Sequence, residues 1–437
     1  MTAADASAGS DKDTALPSPG TRDDLADPLC EPTRRVTTSW IGAITLANLG
    51  LFMAYFGPLG VLLPNQIQAL AGPHRVVDFA WVTGLGAVVA MVVNPLAGAL
   101  SDRTVSRFGR RRPWIVGGAL ATAAALCLVG RLHTVPWIVV GWCLAQVGVN
   151  TMQAGLAAGV PDRVPIAQRA SVSGWIGIAQ TVSVVVAAAL VTKISGYSGY
   201  LLLALGVIIL PLPYVVGTAD PPLPAADAAD LSWRVFARSE RPALSWTHDF
   251  RWAWLTRFLM VLGNAMAVVY LLYFLRRIGS SSLHPARSAE QGLVILLAVY
   301  TVAVSATTVI AGSRSDRSGR RRRSVALAGG IIAAAALLVA VRPTWPSLLI
   351  AAPVLGFGFG IYLSIDQALV TQVLPSAADR AGSLGVISVA SSMGQAVAPA
   401  IAAPVVTYLG GYSALYLVVA AVVLLGSASV WRIRSVP

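Results

Sequence analysis

The sequence predicts an all-α integral membrane protein with twelve transmembrane helices arranged as two pseudo-symmetric six-helix bundles. Three observations support this fold class. The composition is 56% hydrophobic and 12% charged, with a mean hydropathy of +0.70, whereas soluble domains carry roughly 25% charged residues. Uncharged runs of about 20 residues, the length that crosses a bilayer as a helix, recur along the chain. The third observation is an internal repeat.

Two charged segments define the repeat. Residues 98–113 read GALSDRTVSRFGRRRP, and residues 312–323 read GSRSDRSGRRRR. Each follows a long uncharged segment, opens with Gly-x-x-x-Asp-Arg and ends on an Arg cluster after a Gly. The same offset of 214 residues separates Asp102 from Asp316, Gln153 from Gln367 and Pro161 from Pro375. The chain is therefore predicted to consist of two related halves, which is one plan of membrane transporters.

Twelve apolar runs are long enough to be spans, ten of them without a charged residue, and charges, prolines and glycines bound them. In chain order they are 40–64, 79–101, 113–130, 136–161, 170–192, 199–217, 252–275, 292–313, 324–341, 345–372, 382–403 and 410–431. The last two share the uncharged stretch 381–431, which is too long for one crossing. We divide it at the Gly410-Gly411 pair, because paired glycines between apolar runs indicate a turn.

The domain prediction follows from these spans. A six-helix bundle is expected at 36–217 and a second at 252–432, joined by a Pro-rich, charged cytoplasmic linker at 218–251. Residues 1–35 have the polar composition of a disordered cytoplasmic tail, and they lack the basic start and short apolar core of a signal peptide. A short cytoplasmic tail at 433–437 completes the chain.

The charge distribution predicts orientation. A net charge of +13 is compatible with nucleic-acid binding, but 24 of the 32 Lys and Arg residues fall in segments on one side of the predicted spans, against seven in the opposite loops. This asymmetry is the positive-inside pattern. We therefore expect a multi-pass protein of the plasma membrane with both termini in the cytoplasm, the lipid bilayer as a partner and no nucleic acid.

Patterns typical of enzymes are missing from the sequence. The three cysteines form neither a CxxC pair nor a disulfide framework. There is no HExxH, no Gly-x-Ser-x-Gly and no Gly-x-x-x-x-Gly-Lys-Ser/Thr nucleotide loop. A membrane-embedded enzyme is therefore disfavoured, and neither a cofactor nor a metal site is expected. A receptor without a transport cycle is also disfavoured, because it does not require two homologous halves.

The repeated motif, at 98–113 between spans two and three and at 312–323 between spans eight and nine, resembles that of the major facilitator superfamily. Twelve spans in six-plus-six form agree with this family. The segments PDRVP at 161–165 and DQAL at 366–369 are similar to its glycoside and sucrose cation-symporter branch. The Gly-Pro signature expected on span five of many drug exporters is missing from 171–192.

The resemblance implies that the repeated motif latches the halves together on the cytoplasmic side in the outward-facing state. Gly98 lacks a side chain, which permits a neighbouring helix to approach, and Asp102 then faces the positive N-terminus of a facing helix. The predicted gating residues are Gly98, Asp102, Arg103, Gly109, Arg110, Gly312, Asp316, Arg317, Gly319 and Arg320. The Arg clusters have a simpler interpretation as headgroup anchors and topology signals.

Neutral polar side chains fall on spans one, four, seven and ten, which line the central cavity in this superfamily. Gln146, Asn150 and Gln153 share one face of span four, because they are spaced i, i+4 and i+7. The predicted substrate-binding residues are Asn48, Tyr55, Gln146, Asn150, Gln153, Asn264, Tyr270, Tyr273 and Gln367. Amides and aromatic rings suit a polyhydroxylated or otherwise neutral small molecule. The alternative for each amide is an interhelical hydrogen bond, which suits Asn94.

Asp366 is the one acidic residue clearly inside a predicted span. An Asp at the centre of a membrane helix costs about 2.5 to 3.5 kcal/mol on insertion scales, so it has a function or a partner. Two interpretations remain open. Asp366 either takes up and releases a coupling proton, or it is a permanently ionised partner of Arg257 or Arg317.

The predicted function is secondary active transport of a small solute by alternating access. Cation-coupled uptake of a sugar or glycoside is the leading hypothesis, with a proton or sodium ion as the coupling cation. The alternative is proton-coupled efflux of a drug or natural product. We expect the transporter to act as a monomer.

Overall fold

The computed structural model describes residues 32–71, 75–220, 248–279, 286, 288–318, 321–373 and 380–434, without the side chains of 71, 166, 167, 170, 309–321 and 367–388. Most of the predicted tail at 1–35 and of the predicted linker at 218–251 lies outside the described residues, as do 435–437.

Helices dominate the described part of the chain. In chain order they are Thr38–Gly57, Pro58–Leu62, Leu63–Ala71, Arg75–Asp102, Arg112–Val129, Val135–Arg163, Ile166–Lys193, Tyr197–Ile209, Leu212–Gly217, His248–Val269, Leu271–Ile278, Ala289–Ser318, Arg321–Val341, Trp345–Val373, Arg380–Tyr408, Gly411–Ser429 and the 3-10 turn Val430–Arg432. Some of these segments follow one another directly and together make one span. Counted in this way, the described residues contain twelve helices long and apolar enough to cross a membrane. The predicted all-α fold with twelve spans is confirmed.

The two halves repeat the same helix packing. In the first half span one packs on spans five and six, span four packs on spans two and three, and span three packs on span six. In the second half span seven packs on spans eleven and twelve, span ten on spans eight and nine, and span nine on span twelve. The halves meet through two equivalent seams, span two against span eleven and span five against span eight. The fold is therefore two pseudo-symmetric bundles.

Glycines on span ten allow its neighbours to approach closely. A Cβ on Gly360 would lie 2.6 Å from the carbonyl oxygen of Val304 on span eight, and one on Gly358 would lie 2.9 Å from that of Ala328 on span nine. Residues two apart on a helix point in different directions. The tandem glycines of span ten therefore provide close helix packing on two sides.

Spans one and seven are irregular. In span one the residues Pro58–Leu62 form a π-helical segment, closed by the Leu63 amide donating to the Pro58 carbonyl. Proline lacks an N–H and clashes with the preceding turn, which explains the local widening. Span seven is interrupted at Tyr270, between His248–Val269 and Leu271–Ile278. Both irregular segments lie in the half of the span away from the loop at 103–111.

The loop at 103–111 distinguishes the two ends of the molecule. The motif side is the end at which the loop 103–111 joins spans two and three, and the far side is the opposite end. Span two continues as helix to Asp102, beyond its predicted apolar run. Span eight likewise continues to Ser318. The Gly-x-x-x-Asp segments are therefore the last helical turns of spans two and eight, and the connecting loops are shorter than predicted.

Candidate functional site

A charged network joins spans two, three and four on the motif side. The Arg110 guanidinium lies 2.8 Å from Asp162, and Arg111 Nε donates to the same carboxylate at 2.8 Å. Arg111 also contacts Asp102 at 2.5 Å and donates to Ser101. Burial opposes the charge of Arg111, but Asp162 and Asp102 outweigh it and raise its pKa above the ordinary value. These contacts hold the three helix ends together.

The expected latch contacts of Gly98 and Asp102 are absent from the described structure. The space where a Cβ of Gly98 would point is open, with no described atom within 4 Å. Asp102 pairs with the side chain of Arg111, the residue just before the helix of span three. The latch was expected for the outward-facing state, so the gating role of these residues stays a prediction. The corresponding side chains of Gly312, Asp316 and Arg317 lie outside the described residues, as do Gly319 and Arg320 altogether.

A different carboxylate occupies a helix N-terminus. Asp220, just after span six, accepts hydrogen bonds from the backbone amides of Arg111 at 2.7 Å and Arg112 at 2.8 Å. These amides begin span three and have no partner within that helix, and an anion there is favoured by the helix dipole. The Arg112 side chain also donates to the Thr218 carbonyl. Sequence reasoning missed Asp220, although an acid immediately after a span was visible.

The polar face of span four forms a hydrogen-bonded cluster in the first half. The Asn150 side chain donates to the Gln146 carbonyl at 2.8 Å and lies 3.3 Å from the Gln146 side-chain oxygen. Asn94 of span two donates to Asn150 at 3.3 Å. The Tyr55 hydroxyl of span one lies beside the Gln146 side chain, and its ring stacks on Trp142. Spans one, two and four thus contribute to one neutral polar cluster.

The other predicted substrate-binding residues do not belong to this cluster. Asn48 donates to the Ile44 carbonyl of its own helix at 2.8 Å, and Asn264 accepts from the Tyr300 hydroxyl of span eight at 2.9 Å. Gln153 is half-buried. The side chain of Gln367 lies outside the described residues. Asn94 belongs to the cluster through Asn150, although its sequence context indicated only an isolated interhelical bond.

Asp366 and Arg257 form a buried ion pair within the second half. Arg257 Nη1 lies 3.1 Å from Asp366 Oδ2, and the two side chains are 13% and 6% exposed. The Tyr362 hydroxyl donates to the other carboxylate oxygen at 2.9 Å. Arg257 Nε donates to Ser391 Oγ of span eleven at 2.6 Å. The carboxylate is thus held by a cation and a phenol, away from bulk solvent.

On the far side, aromatic residues of span seven seal the halves together. The Tyr273 hydroxyl donates to the Pro64 carbonyl at 3.1 Å, and the Tyr270 hydroxyl lies 3.3 Å from the Val76 carbonyl. Phe79 meets both tyrosine rings edge-on, with centroid distances of 5.7 and 5.8 Å. Tyr270 and Tyr273 are almost fully buried in this contact. Their predicted ligand contacts stay a prediction, and in this conformation they close the far side.

Arg276 lies one turn further along span seven in the same contact. Its guanidinium donates to Gln68 and Asn65 of span one. It also pairs with Glu290 of span eight at 2.6 Å. The side chain thus joins both halves through one cation. Sequence reasoning missed Arg276, because its two partners in the other half, Gln68 and Asn65, lie more than 200 residues away.

Comparisons with known proteins agree with this fold. The family model described as Major Facilitator Superfamily matches residues 43–289 and 253–437. A crystal structure of a point mutant of the nucleoside transporter NupG aligns with a TM-score of 0.71 at 14% identity, over 90% of this chain and 98% of that chain. The human organic anion transporter MFSD10 aligns with a TM-score of 0.65 at 16% identity, over 90% and 99%.

Sequence relatives match over shorter segments. Sucrose transport protein SUC4 of Arabidopsis thaliana is 31% identical over 111 residues, which are 25% of this chain and 21% of that protein. Sucrose transport protein SUT2 of Oryza sativa subsp. indica is 34% identical over 122 residues, covering 23% of this chain and 24% of that protein. The matches span about a quarter of the length of these relatives. With the family model matching most of the chain, the protein belongs to the Major Facilitator Superfamily, a family of membrane transporters rather than enzymes.

Proposed function

We propose that this transporter takes up a neutral sugar or glycoside together with a cation. The observation that carries the proposal is the cluster of Tyr55, Gln146 and Asn150, which offers amide and phenol groups without a charged side chain among its described hydrogen-bond partners. Neutral donors and acceptors match hydroxyl groups, whereas a carboxylate or phosphate ligand calls for Arg or Lys. The similarity of a quarter of the chain to sucrose transport proteins supports the same substrate class.

We propose a proton as the coupling cation and the Arg257–Asp366 pair as its site. A sodium ion is a hard cation that prefers several oxygen ligands, by analogy with other such ions, whereas the described neighbours of Asp366 are a guanidinium and a phenol. A proton on Asp366 removes the attraction that holds Arg257. The pair thus has two proposed arrangements: Arg257 is held by ionised Asp366 or released from protonated Asp366. The difference between them links proton binding to conformation.

The closed far side and the uncovered Gly98 support assignment of this conformation to the state that opens on the motif side. We propose that the motif side faces the cytoplasm, with both termini there, and that the protein acts as a monomer in the plasma membrane. In the opposite state, Gly98 and its counterpart Gly312 receive neighbouring helices and the far-side contacts separate. Alternating between these states moves the solute across the bilayer.

Radiolabelled sucrose uptake into proteoliposomes tests the proposal. With an imposed gradient, acid outside, we expect accumulation that a protonophore abolishes. In the Asp366→Asn variant and in the charge-matched double variant Arg257→Gln/Asp366→Asn, we expect any remaining uptake to be independent of external pH. Competition by unlabelled glycosides then ranks the substrates.

Two results count against the proposal. A pH profile unchanged by Asp366→Asn removes the titrating role, leaving Asp366 as a structural ion pair. Gradient-driven exit of apolar compounds, without uptake of sugars or glycosides, indicates the efflux alternative.

A further inference from the structure

Ser391 connects the buried ion pair to the seam between the halves. Its hydroxyl accepts from Arg257 Nε at 2.6 Å, whereas Asp366 contacts a different nitrogen of the guanidinium, Nη1. One turn further along span eleven, Gly394 approaches the backbone of span seven: a Cβ there would lie 3.0 Å from the Phe258 carbonyl oxygen. Arg257 and Phe258 are thus both in contact with the same stretch of span eleven.

Span eleven is also one of the helices that join the halves. It packs against span seven within its own bundle and against span two of the other bundle. Span two ends in the Gly98-x-x-x-Asp102 segment. A shift of span eleven relative to span seven therefore changes a contact between the halves directly.

We propose that Ser391 is a positioning residue that transmits the charge state of Asp366 to span eleven, and so to the seam with span two. This inference rests on the proposed proton coupling at Asp366. While Asp366 is ionised, the guanidinium is divided between its carboxylate and Ser391, which holds spans seven, ten and eleven in the observed arrangement. When Asp366 carries a proton, the ionic attraction is lost and the position of Arg257 depends on its hydrogen bond to Ser391.

Few other described groups lie close enough to Asp366 to transmit its charge state. Arg257 from span seven and Tyr362 from span ten itself are the charged or titratable groups that meet Asp366 within the described residues. Spans eight and nine meet this part of span ten at its glycines through Thr307 and Ile332, which carry no charge. The proton on Asp366 thus acts through Arg257, and Ser391 is the contact that Arg257 makes on span eleven.

A labelling experiment tests this step without a known substrate. Native cysteines are replaced, and Val76→Cys is introduced, because Val76 lies in the closed far-side contact and keeps its backbone carbonyl there. The labelling rate with a membrane-impermeant maleimide is measured against pH in proteoliposomes. The double variant Arg257→Gln/Asp366→Asn serves as the reference for the intrinsic reactivity of the thiol. At each pH, the labelling rate of the Val76→Cys protein is divided by that of the double variant carrying the same cysteine. We expect this ratio to rise about tenfold on acidification, the factor that corresponds to a coupling free energy of about 1.4 kcal/mol.

Ser391→Ala should reduce this acid-induced rise to about twofold or less, and Ser391→Thr, which keeps the hydroxyl, should restore it. An unchanged rise in Ser391→Ala overturns the inference and leaves proton coupling at Asp366 intact. A flat profile in the parent protein overturns both. A fall in thermal stability with an unchanged pH response also counts against transmission, because it assigns Ser391 to packing alone.

Discussion

Asp220 occupies the space that a side chain on residue 109 would need. Gly109 has φ +104°, and a Cβ built on it would overlap the Asp220 carboxylate. The same carboxylate accepts the Arg111 and Arg112 amides at the start of span three. The glycine of the repeated motif therefore admits an anion from the end of span six to the N-terminus of span three.

We expect Gly109→Ala to lower the apparent midpoint of thermal unfolding. The substitution places a side chain in a backbone region that costs about 1 to 3 kcal/mol, and it displaces Asp220. Gly117→Ala is the matched control, because Gly117 lies in the helix of span three with open space around its Cβ position. Tryptophan fluorescence during heating measures both variants. Equal midpoints for the two would show that Gly109 tolerates a side chain.

Asp220→Ala should destabilise the protein by about 0.5 to 2 kcal/mol, as does loss of a helix N-cap. Asp220→Asn retains the Oδ acceptor, so it should reduce the stability of the protein much less. In the Gly109→Ala background, where the carboxylate is already displaced, Asp220→Ala should add little, because contacting residues are not additive. Thermal midpoints of the four proteins form the cycle. Fully additive losses would contradict a direct contact.

Arg276→Gln should open the far side. The guanidinium contacts Gln68, Asn65 and Glu290 across the two halves, and hydrogen bonds to charged groups contribute about 1.5 to 3 kcal/mol each. We expect labelling of Val76→Cys by an impermeant maleimide to rise about tenfold or more. Arg277→Gln, at the neighbouring exposed position, should leave the rate unchanged. Equal rates in both variants would exclude Arg276 as a closing contact.

Variants of Gln153 and Gln146 should distinguish a residue that only binds substrate from one that also stabilises the fold. Gln153→Ala is expected to raise the KM for sucrose about tenfold, the cost of about one good hydrogen bond, with an unchanged thermal midpoint. Gln146→Ala should raise the KM and also lower the midpoint, because Gln146 is buried, hydrogen-bonded to Asn150 and next to Tyr55. Gln180→Ala on span five is the control. Initial rates of uptake measure all three, and an unchanged KM for Gln153→Ala would remove Gln153 from the site.

The Arg257–Asp366 pair predicts a double-mutant result. Removing one partner of a buried ion pair costs about 3 to 5 kcal/mol, because the other charge stays buried and unpaired. Arg257→Gln alone should therefore reduce the yield of folded protein, and Arg257→Gln/Asp366→Asn should restore it. Size-exclusion profiles and thermal midpoints of the purified proteins measure this. A double variant less stable than the single would show that the pair is not the dominant interaction.

Much of the fold was predictable from sequence, because crossing a bilayer is a local property of the chain. Length and hydropathy are sufficient to identify twelve spans, and the constant offset between motifs, as between Asp102 and Asp316, is sufficient to indicate two related bundles. Spacing also placed Gln146 and Asn150 on one face of span four, where they are hydrogen-bonded. Spans and helix faces depend only on residues close together in the chain, and the repeat is found by comparing one half of the sequence with the other.

Tertiary structure decided which distant groups meet. It brought Arg257 to Asp366, left no described atom within 4 Å of the Cβ position of Gly98, and positioned Tyr270 and Arg276 in the far-side contact. Sequence spacing defines the face of a helix, but the partner of that face depends on how the helices are packed and on which conformation the two halves adopt. Contacts between the halves change during an alternating-access cycle, so one sequence encodes more than one set of them.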